Sequence, residues 1–420
     1  MKRMIFSLFW LCSVTGMYGQ ITLKECQRKT QENYPLVRQY GLIEKTKEYS
    51  LANAAKGYLP QFALSAKASY QSDVTEIPIK MAGIDIKGLP KDQYQVLLEL
   101  QQNIWDGGGI RMKKKQTEAN AEVDKEKLNV DMYALNERVN DLYFGILLLG
   151  EQLEQNALLQ EDLARSFRQI TAYVENGIAN QADLDAVKVE ELNTRQKRVE
   201  LASLRLAYMQ MLSLLVGEKL PDEAVLEKPL REETVSAASE IRRPELTWFD
   251  VQKTSLQVRE KALDVGYMPH FGLFVQGAYG NPGLNMLKDK FAPYYIAGVR
   301  LSWNFGSLYT LKNDRRVIEN SRRQLDSNRD VFLFNTRLQM TQQDHAIRSM
   351  EKQMQDDDEI IRLRSNIRKA AEAKVANGTL TVTEMLREIT NESLSKQAKA
   401  LHEIQLLMNI YQLKYTTNHE

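Results

Sequence analysis

Tyr58-Leu59-Pro60-Gln61-Phe62-Ala63-Leu64 returns further along the chain as Tyr267-Met268-Pro269-His270-Phe271-Gly272-Leu273. The motif that closes the same stretch, Trp105-Asp106-Gly107-Gly108, returns as Trp303-Asn304-Phe305-Gly306. Between opening and closing, each copy holds two segments of period-two alternation around a polar loop that carries Pro and Gly. That pattern predicts a β-hairpin. Strands of about ten residues are long enough to cross a bilayer obliquely.

Outward from the hairpins the repetition continues. Pro35 precedes Pro60 by the same 25 residues that separate Pro244 from Pro269. The ordered set reads as an internal duplication with an offset of about 200 residues.

The strands divide into two faces. Phe62, Leu64, Ala66, Ala68 and Tyr70 alternate with Ala63, Ser65, Lys67 and Ser69. In the second strand, Tyr94, Val96, Leu98, Leu100 and Ile104 oppose Gln95, Glu99, Gln101 and Asn103. In the third, Phe271, Leu273, Val275 and Tyr279 share a face. The fourth sets Tyr295, Ala297, Val299, Leu301 and Trp303 against Arg300, Ser302 and Asn304. A soluble antiparallel sheet with one face on a core would show the same alternation. The aromatics favour lipid: Tyr58, Trp105, Tyr267 and Trp303 mark the helix-side ends, and Tyr70, Tyr94, Tyr279 and Tyr294 the loop ends. Two aromatic rings one hydrocarbon thickness apart are what a membrane barrel places at its interfaces.

Helical patterns flank both hairpins. One runs from Leu23 to Lys56 with a turn at Pro35, and a second runs from the Asp106-Gly107-Gly108-Gly109 turn to about Val174. In the latter, Leu128, Leu135, Val139, Leu142, Ile146, Leu149 and Leu153 keep coiled-coil spacing, over a helix of roughly 100 Å at 1.5 Å per residue. Asn176-Gly177 stops it, as residues tolerant of positive φ do. A return helix follows from about Gln181 to Val216, with Leu201, Leu204, Tyr208, Met211 and Leu215 as its expected stripe. The second repeat has a long helix over about 308–376, turns at Asn377-Gly378, and returns over about 381–415.

The divisions are therefore 1–19 signal peptide, 20–216 first repeat with its hairpin at 61–105, and 217–240 linker or equatorial segment. The second repeat spans 241–415 with its hairpin at 270–305, and 416–420 is a tail. Lys2 and Arg3, the apolar run from Met4 to Val14 and the small residues around Gly16 and Gly19 have signal-peptide form; a buried first helix is the alternative. Cys26 would then be the sole mature cysteine. After residue 19 no apolar run reaches membrane-helix length, so any crossing is made by strands.

The formal net charge of +1 points to no nucleic-acid partner. Asp106-Gly107-Gly108-Gly109 lacks the Gly-x-x-x-x-Gly-Lys spacing of a phosphate cradle and reads as a tight turn. Asp356-Asp357-Asp358-Glu359 points its carboxylates in different directions on a helix, so it reads as a solvated face near Arg362 and Arg364. Arg111 to Lys115 reads as a solvated helix start. His270, His345, His402 and His419 show no triad or ligand arrangement. No catalytic constellation, metal site or cofactor motif emerges, and the expectation is a non-enzyme.

A four-stranded unit with an apolar outer face cannot stand alone in lipid, because its edge strands would expose unpaired backbone groups. Either it folds as a soluble sheet or copies share one barrel. Two copies would give eight strands with an interior filled by side chains, three would give twelve with a lumen, and three is the expectation. The order of elements, the duplication, the Pro strand openings, the Trp closings and the Asn-Gly tips together resemble the TolC-like outer-membrane efflux protein family. The resemblance spans about residues 21–415. It implies a mainly α protein with transmembrane β, in which a homotrimer closes a twelve-stranded barrel in outer-membrane lipid and a periplasmic α-helical tunnel. It further implies a passive exit duct for a periplasmic adaptor and an inner-membrane transporter. A coiled-coil scaffold that transports nothing is the competing reading.

The resemblance also places a gate at the tips. By it, Asp183 matches an aspartate of the tip links and Glu384 an acidic ring position, while Arg387 stands where the next acid would be. The linking arginine and tyrosine of the family are replaced by Leu380 and Val375. Asp183 or Glu388 is therefore expected to pair with Arg387. Asn176, Gly177, Asn377 and Gly378 become candidate adaptor contacts.

Overall fold

The computed structural model describes residues 21–75, 89–222, 224–231, 236, 238–286 and 288–419. The candidate signal peptide and residues 76–88 of the first hairpin loop lie outside them. In chain order the elements are α1 (Leu23–Asn33), α2 (Arg38–Ala55), β1 (Gln61–Tyr70), β2 (Asp92–Trp105), α3 (Gly109–Tyr133), α4 (Leu135–Glu175) and α5 (Gln181–Val216). Then come α6 (Pro244–Leu263), β3 (His270–Asn281), β4 (Ala292–Ser302), α7 (Ser307–Ala376) and α8 (Val382–Thr417). The first long helix breaks at Ala134, whereas its counterpart α7 runs unbroken for 70 residues. Pro35 opens a 3-10 turn between α1 and α2, and Pro244 is the first residue of α6, where its missing N–H costs nothing.

The chain divides into two compact units. The sheet unit holds residues 38–130 and 244–333, with one antiparallel sheet in the order β1-β2-β3-β4. The two hairpins join through β2 and β3, which pair from Tyr94 opposite Asn281 to Trp105 opposite Phe271. β1 and β4 are its edges. Around it, the helices bury little: Ala54, Leu128, Phe249 and Ile318 are their interior residues.

The helical unit holds residues 21–37, 131–243 and 334–419. Its main core gathers Leu23 and Cys26 from α1, Val139, Tyr143 and Phe144 from α4, Met209 and Leu212 from α5, and Ile404 and Leu407 from α8. Burial pushes the Cys26 thiol up to about 12, leaving it a protonated, packed side chain. A second cluster lies at the helix tips and a third joins Met340 and Ile347 of α7 to Leu406, Ile410 and Leu413 of α8. The described part of 217–231 straps these helices. Arg205 donates to the carbonyls of Asp222 and Ala224 at 3.0 and 2.8 Å, Lys228 pairs with Glu403 at 2.7 Å, and Arg231 pairs with Glu351.

The expected stripe from Leu135 to Leu149 is the buried face of α4. On α5 the stripe is different. Leu201, Met209, Leu212 and Val216 are buried, while Leu204 and Met211 are exposed. Because α5 is apolar nearly all round in its second half, two stripes fit its sequence and spacing alone cannot select between them. For the same reason α5 contains a window apolar and long enough for a membrane span. Glu200 and Arg205 interrupt it, and its Met209 and Leu212 lie fully inside the main core.

Candidate membrane surface and helix-tip gate

The sheet is built inside out. On one face Phe62, Leu64, Val96, Leu98, Val275 and Val299 project into the open, Leu64 at 73% exposure. On the other face the polar residues hold each other. Gln95 donates to the Tyr294 hydroxyl, Gln101 donates to Glu99 at 2.7 Å, and Arg300 stands 3.6 Å from Glu99 and 4.9 Å over the Phe274 ring. An apolar face left open against a bonded polar face is the reverse of a soluble sheet.

Two details depart from strict alternation. A bulge between Asn103 and Trp105 shifts the register, so that Trp105 and not Ile104 stands opposite Phe271, with ring centroids 5.9 Å apart. An extra residue turns the strand end over, and brings Trp105 to the apolar face. Tyr294 is a correction to the expected aromatic ring. Its bond to Gln95 puts it on the polar face with Arg300, and the apolar face carries Tyr295 instead, at 76% exposure. Tyr70, Tyr94 and Tyr279 do lie on the apolar face. Phe291, missed from the sequence because it falls in the loop, stacks on Tyr279 at 5.7 Å and on Tyr94 at 6.3 Å. At the opposite end, the Trp303 indole donates to the Tyr267 carbonyl at 2.9 Å, and Tyr58 is exposed.

The strand-to-helix turns repeat in detail. Asp106 accepts from the N–H groups of Gly108 and Ile110 at 3.1 and 2.6 Å, and Asn304 from that of Gly306 at 2.8 Å. A carboxylate already occupies the α3 start, which is a cap and no phosphate cradle.

The two tips are built alike. Asn176 and Asn377 each donate their side-chain amide to the carbonyl four residues back, Ala172 and Ala373, at 2.7 and 2.8 Å. Gly177 and Gly378 follow at φ +73° and +67°, the left-handed region where glycine is unstrained. The return helices then start with matched capping boxes. Asn180 and Asp183 exchange bonds at the start of α5, and Thr381 and Glu384 do so at the start of α8. Thr381, through its hydroxyl first and its N–H second, holds the Glu384 carboxyl below its ordinary value, with Arg387 adding charge.

The expected partners of Arg387 separate. Asp183 is engaged in its own cap, whereas Glu388 lies 3.6 Å from Arg387 and also 3.6 Å from Arg364 of α7. Val375 is buried in the tip cluster with Ile170, Val187, Met385 and Ile389, and Leu380 packs against it. Val375 and Leu380 thus belong to the apolar packing between the helices at the tips.

One charge cluster escaped the sequence reading. Arg368 of α7 stands 3.2 Å from Asp162 of α4 and 2.7 Å from Glu392 of α8, and Glu392 is almost fully buried. In the acidic run, Asp357 pairs with His402 at 2.9 Å, Asp358 with Lys399 at 2.6 Å, and Glu359 with Arg362. Arg364, expected to serve that run, goes to Glu388.

Residues 28–218 match the model of the outer membrane efflux protein family, from inside α1 to just past the end of α5. No curated protein sequence matches the chain significantly. Solved structures match over nearly its whole length. The CmeC outer membrane channel of Campylobacter jejuni is 12% identical with a TM-score of 0.64, covering 94% of this chain and 85% of its own. The outer membrane protein VceC of Vibrio cholerae is 12% identical with a TM-score of 0.66, covering 94% and 95%. The open state of the MtrE outer membrane channel of Neisseria gonorrhoeae is 11% identical with a TM-score of 0.66, covering 94% and 88%. At such identities the likeness is one of fold, which here includes the duplicated helices and the four strands. Over its first repeat the chain is thus similar to the outer membrane efflux protein family, and over nearly its whole length its fold is that of these solved TolC-like channels.

Proposed function

We propose that the chain is the outer-membrane exit duct of a tripartite efflux or type I secretion system, passively conducting substrates delivered by an inner-membrane transporter through a periplasmic adaptor. The observation that carries this reading is the inverted sheet, whose apolar side is open and whose polar side is bonded. In lipid the edges β1 and β4 must be paired. Three copies do so by joining β4 of one to β1 of the next, and twelve strands leave a lumen. Lys67, Glu99 and Arg300 then face that lumen with mixed sign, which argues for weak selectivity in the barrel. Selection belongs to the tips, where Asp183, Glu384, Arg387 and Glu388 surround the entrance. Asn176, Gly177, Asn377 and Gly378 meet the adaptor there, and residues 1–19 direct export.

The deciding measurement is the protein mass, detergent subtracted, of the chain extracted from outer membranes. Three copies lacking residues 1–19 weigh roughly 140 kDa. A species of that mass that also conducts in planar bilayers supports the duct. A monomer soluble without detergent overturns it and leaves a coiled-coil scaffold.

A further inference from the structure

Between α1, the start of α4 and the end of α8 the helical unit holds an open pocket of about 390 Å³, within the size range of small-molecule sites. Two irregularities of the chain shape it. The first long helix breaks at Ala134, between Tyr133 and Asn136, and both of these line the pocket. The end of α8 closes another side, where Asn418 donates to the Arg242 carbonyl at 2.8 Å and the His419 ring lies 2.9 Å from the Glu240 carbonyl. The duplication gives the pocket no twin, because the described residues before Pro244 form no counterpart of α1.

α1 and α4 meet there through two amide pairs. Gln27 donates to Asn140 at 2.7 Å and, one turn away on both helices, Gln31 donates to Asn136 at 2.9 Å. Each pair leaves one NH2 group and one carbonyl oxygen over, whichever way round its two amides stand. Asn140 is only 4% exposed, lines the pocket, and its amide nitrogen has no hydrogen bond among the described residues. A buried polar group left in that state costs free energy that a bound partner would return.

The charge of the lining is one-sided. Lys24 and Arg28 of α1 and Lys414 of α8 contribute cations, and no Asp or Glu lines the pocket. Arg28 meets Glu32 only in an exposed pair, which holds it weakly, and Lys24 has no carboxylate partner among the described residues. Lys414 is buried, with its ammonium 5.2 Å from the Tyr411 ring centroid. The aromatic rings are already in use. Tyr133 and Tyr415 stack at 4.9 Å, and Arg243 lies 4.9 and 4.7 Å from the same two centroids. An anionic group suits the cations, hydroxyl groups suit the leftover amide groups, and a flat aromatic ligand finds no ring to stack on.

We propose that this pocket binds a small hydroxylated carboxylate, a free sugar acid of monosaccharide size: Lys24, Arg28 and Lys414 take the carboxylate, and the Gln27–Asn140 and Gln31–Asn136 pairs take the hydroxyl groups. The site lies wholly within the helical unit, so it goes beyond the reading of the chain as a duct and does not depend on it.

The experiment is calorimetric titration of the full-length chain, extracted from membranes in detergent, with glucuronate, glucose and inorganic phosphate as probes. Wild type is compared with the double variant Lys24→Gln, Arg28→Gln and with Asn140→Leu. Glucuronate should bind wild type saturably and at least about tenfold more tightly than glucose or phosphate, since each of those lacks one half of the recognition. The double variant should bring glucuronate down to the level of glucose. Asn140→Leu should weaken glucuronate by about tenfold and leave phosphate unchanged. Absence of saturable glucuronate binding overturns the proposal. Phosphate bound as tightly as glucuronate also overturns it, because the site then takes a bare ion only. Glucuronate affinity unchanged in the double variant overturns it as well, by placing the ligand elsewhere. If Asn140→Leu fails to fold, the double variant decides alone, since Lys24 and Arg28 are exposed and outside the core. A preparation that binds glucuronate in this pattern and never conducts in bilayers defeats the duct and leaves the site standing.

Discussion

Glu384 accepts the backbone N–H and the hydroxyl of Thr381, at 3.2 and 2.9 Å, while its own N–H donates back to the Thr381 hydroxyl at 3.2 Å. The residue that family resemblance makes a pore charge is thus also the third residue of a helix cap. Asp183 stands in the same relation to Asn180. Two roles fall on one carboxylate, and substitutions divide them.

Glu384→Gln keeps an acceptor for Thr381 and deletes the charge, so it should lower cation preference in bilayer recordings with tip hydrogen exchange unchanged. Glu384→Ala loses both and should also speed exchange at the first turn of α8. Equal effects of the two variants on exchange would show that charge, and not the cap, holds the turn.

The same cap sets a pH dependence. A carboxyl held below its ordinary value contributes stability above its unfolded pKa and loses it as pH falls through the lower, folded value. Exchange at Thr381 to Glu384, corrected for intrinsic rate, should stay flat from neutral pH down to the ordinary value of 4.5 and rise only below it. A rise already between pH 7 and 5 would point to another group.

Tyr143, fully buried, places its hydroxyl 2.7 Å from the Ile21 carbonyl and 2.6 Å from that of Glu227, at the bridge between Ile21 and Leu226. Burial raises the phenol well above its ordinary value, so it remains a donor through the whole working range. Ile21 also receives the Glu227 N–H at 3.1 Å. Tyr143→Phe therefore orphans chiefly the Glu227 carbonyl, and should cost about 1–3 kcal/mol in thermal or denaturant unfolding. A variant as stable as wild type would mean that water reaches the gap.

How far the sequence could be read follows from the range of each signal. The duplication, the four strands, α5 from Gln181 to Val216 and the paired Asn-Gly tips are local patterns, and all were legible. Thr381-x-x-Glu384 and Asn180-x-x-Asp183 were legible as capping boxes too, but the resemblance drew attention to their charge. Tyr294 was misplaced against its own alternation, since it falls in step with Arg300. The bulge at Ile104 depends on the register of β2 against β3, distant in sequence, and no strand reveals it alone. The Arg368 cluster takes one residue from each of α4, α7 and α8, and only packing brings those together.

Gly107 and Gly108 both adopt positive φ, at +67° and +92°, but only one is crowded. A Cβ on Gly107 would lie 2.6 Å from the Met268 Cβ, while one on Gly108 meets nothing within 4 Å. Gly108→Ala should pay only for left-handed backbone, about 1–2 kcal/mol. Gly107→Ala adds a clash with an atom fixed to the backbone at the entry to β3, and should lose far more assembled protein in the outer membrane. Equal loss would mean that the turn relaxes around Met268.

The membrane assignment itself has a direct optical test. Trp105 is turned to the apolar face by the bulge, and Trp303 bonds the Tyr267 carbonyl at the same end of the sheet. Trp248 sits on α6, its ring 5.8 Å from that of Phe249. Indoles at a membrane interface lie within reach of bromine atoms carried high on the acyl chains. Variants that keep Trp105 or Trp303 as the single tryptophan of the mature chain should lose fluorescence in brominated lipid, most strongly with bromine near the headgroups. A variant that keeps only Trp248 should not respond. If none of the three is quenched, the open apolar face of the sheet meets something other than lipid, and the barrel reading fails with it. Quenching of Trp303 without Trp105 would confine the error to the bulge, with Trp105 turned inward as strict alternation from Tyr94 requires.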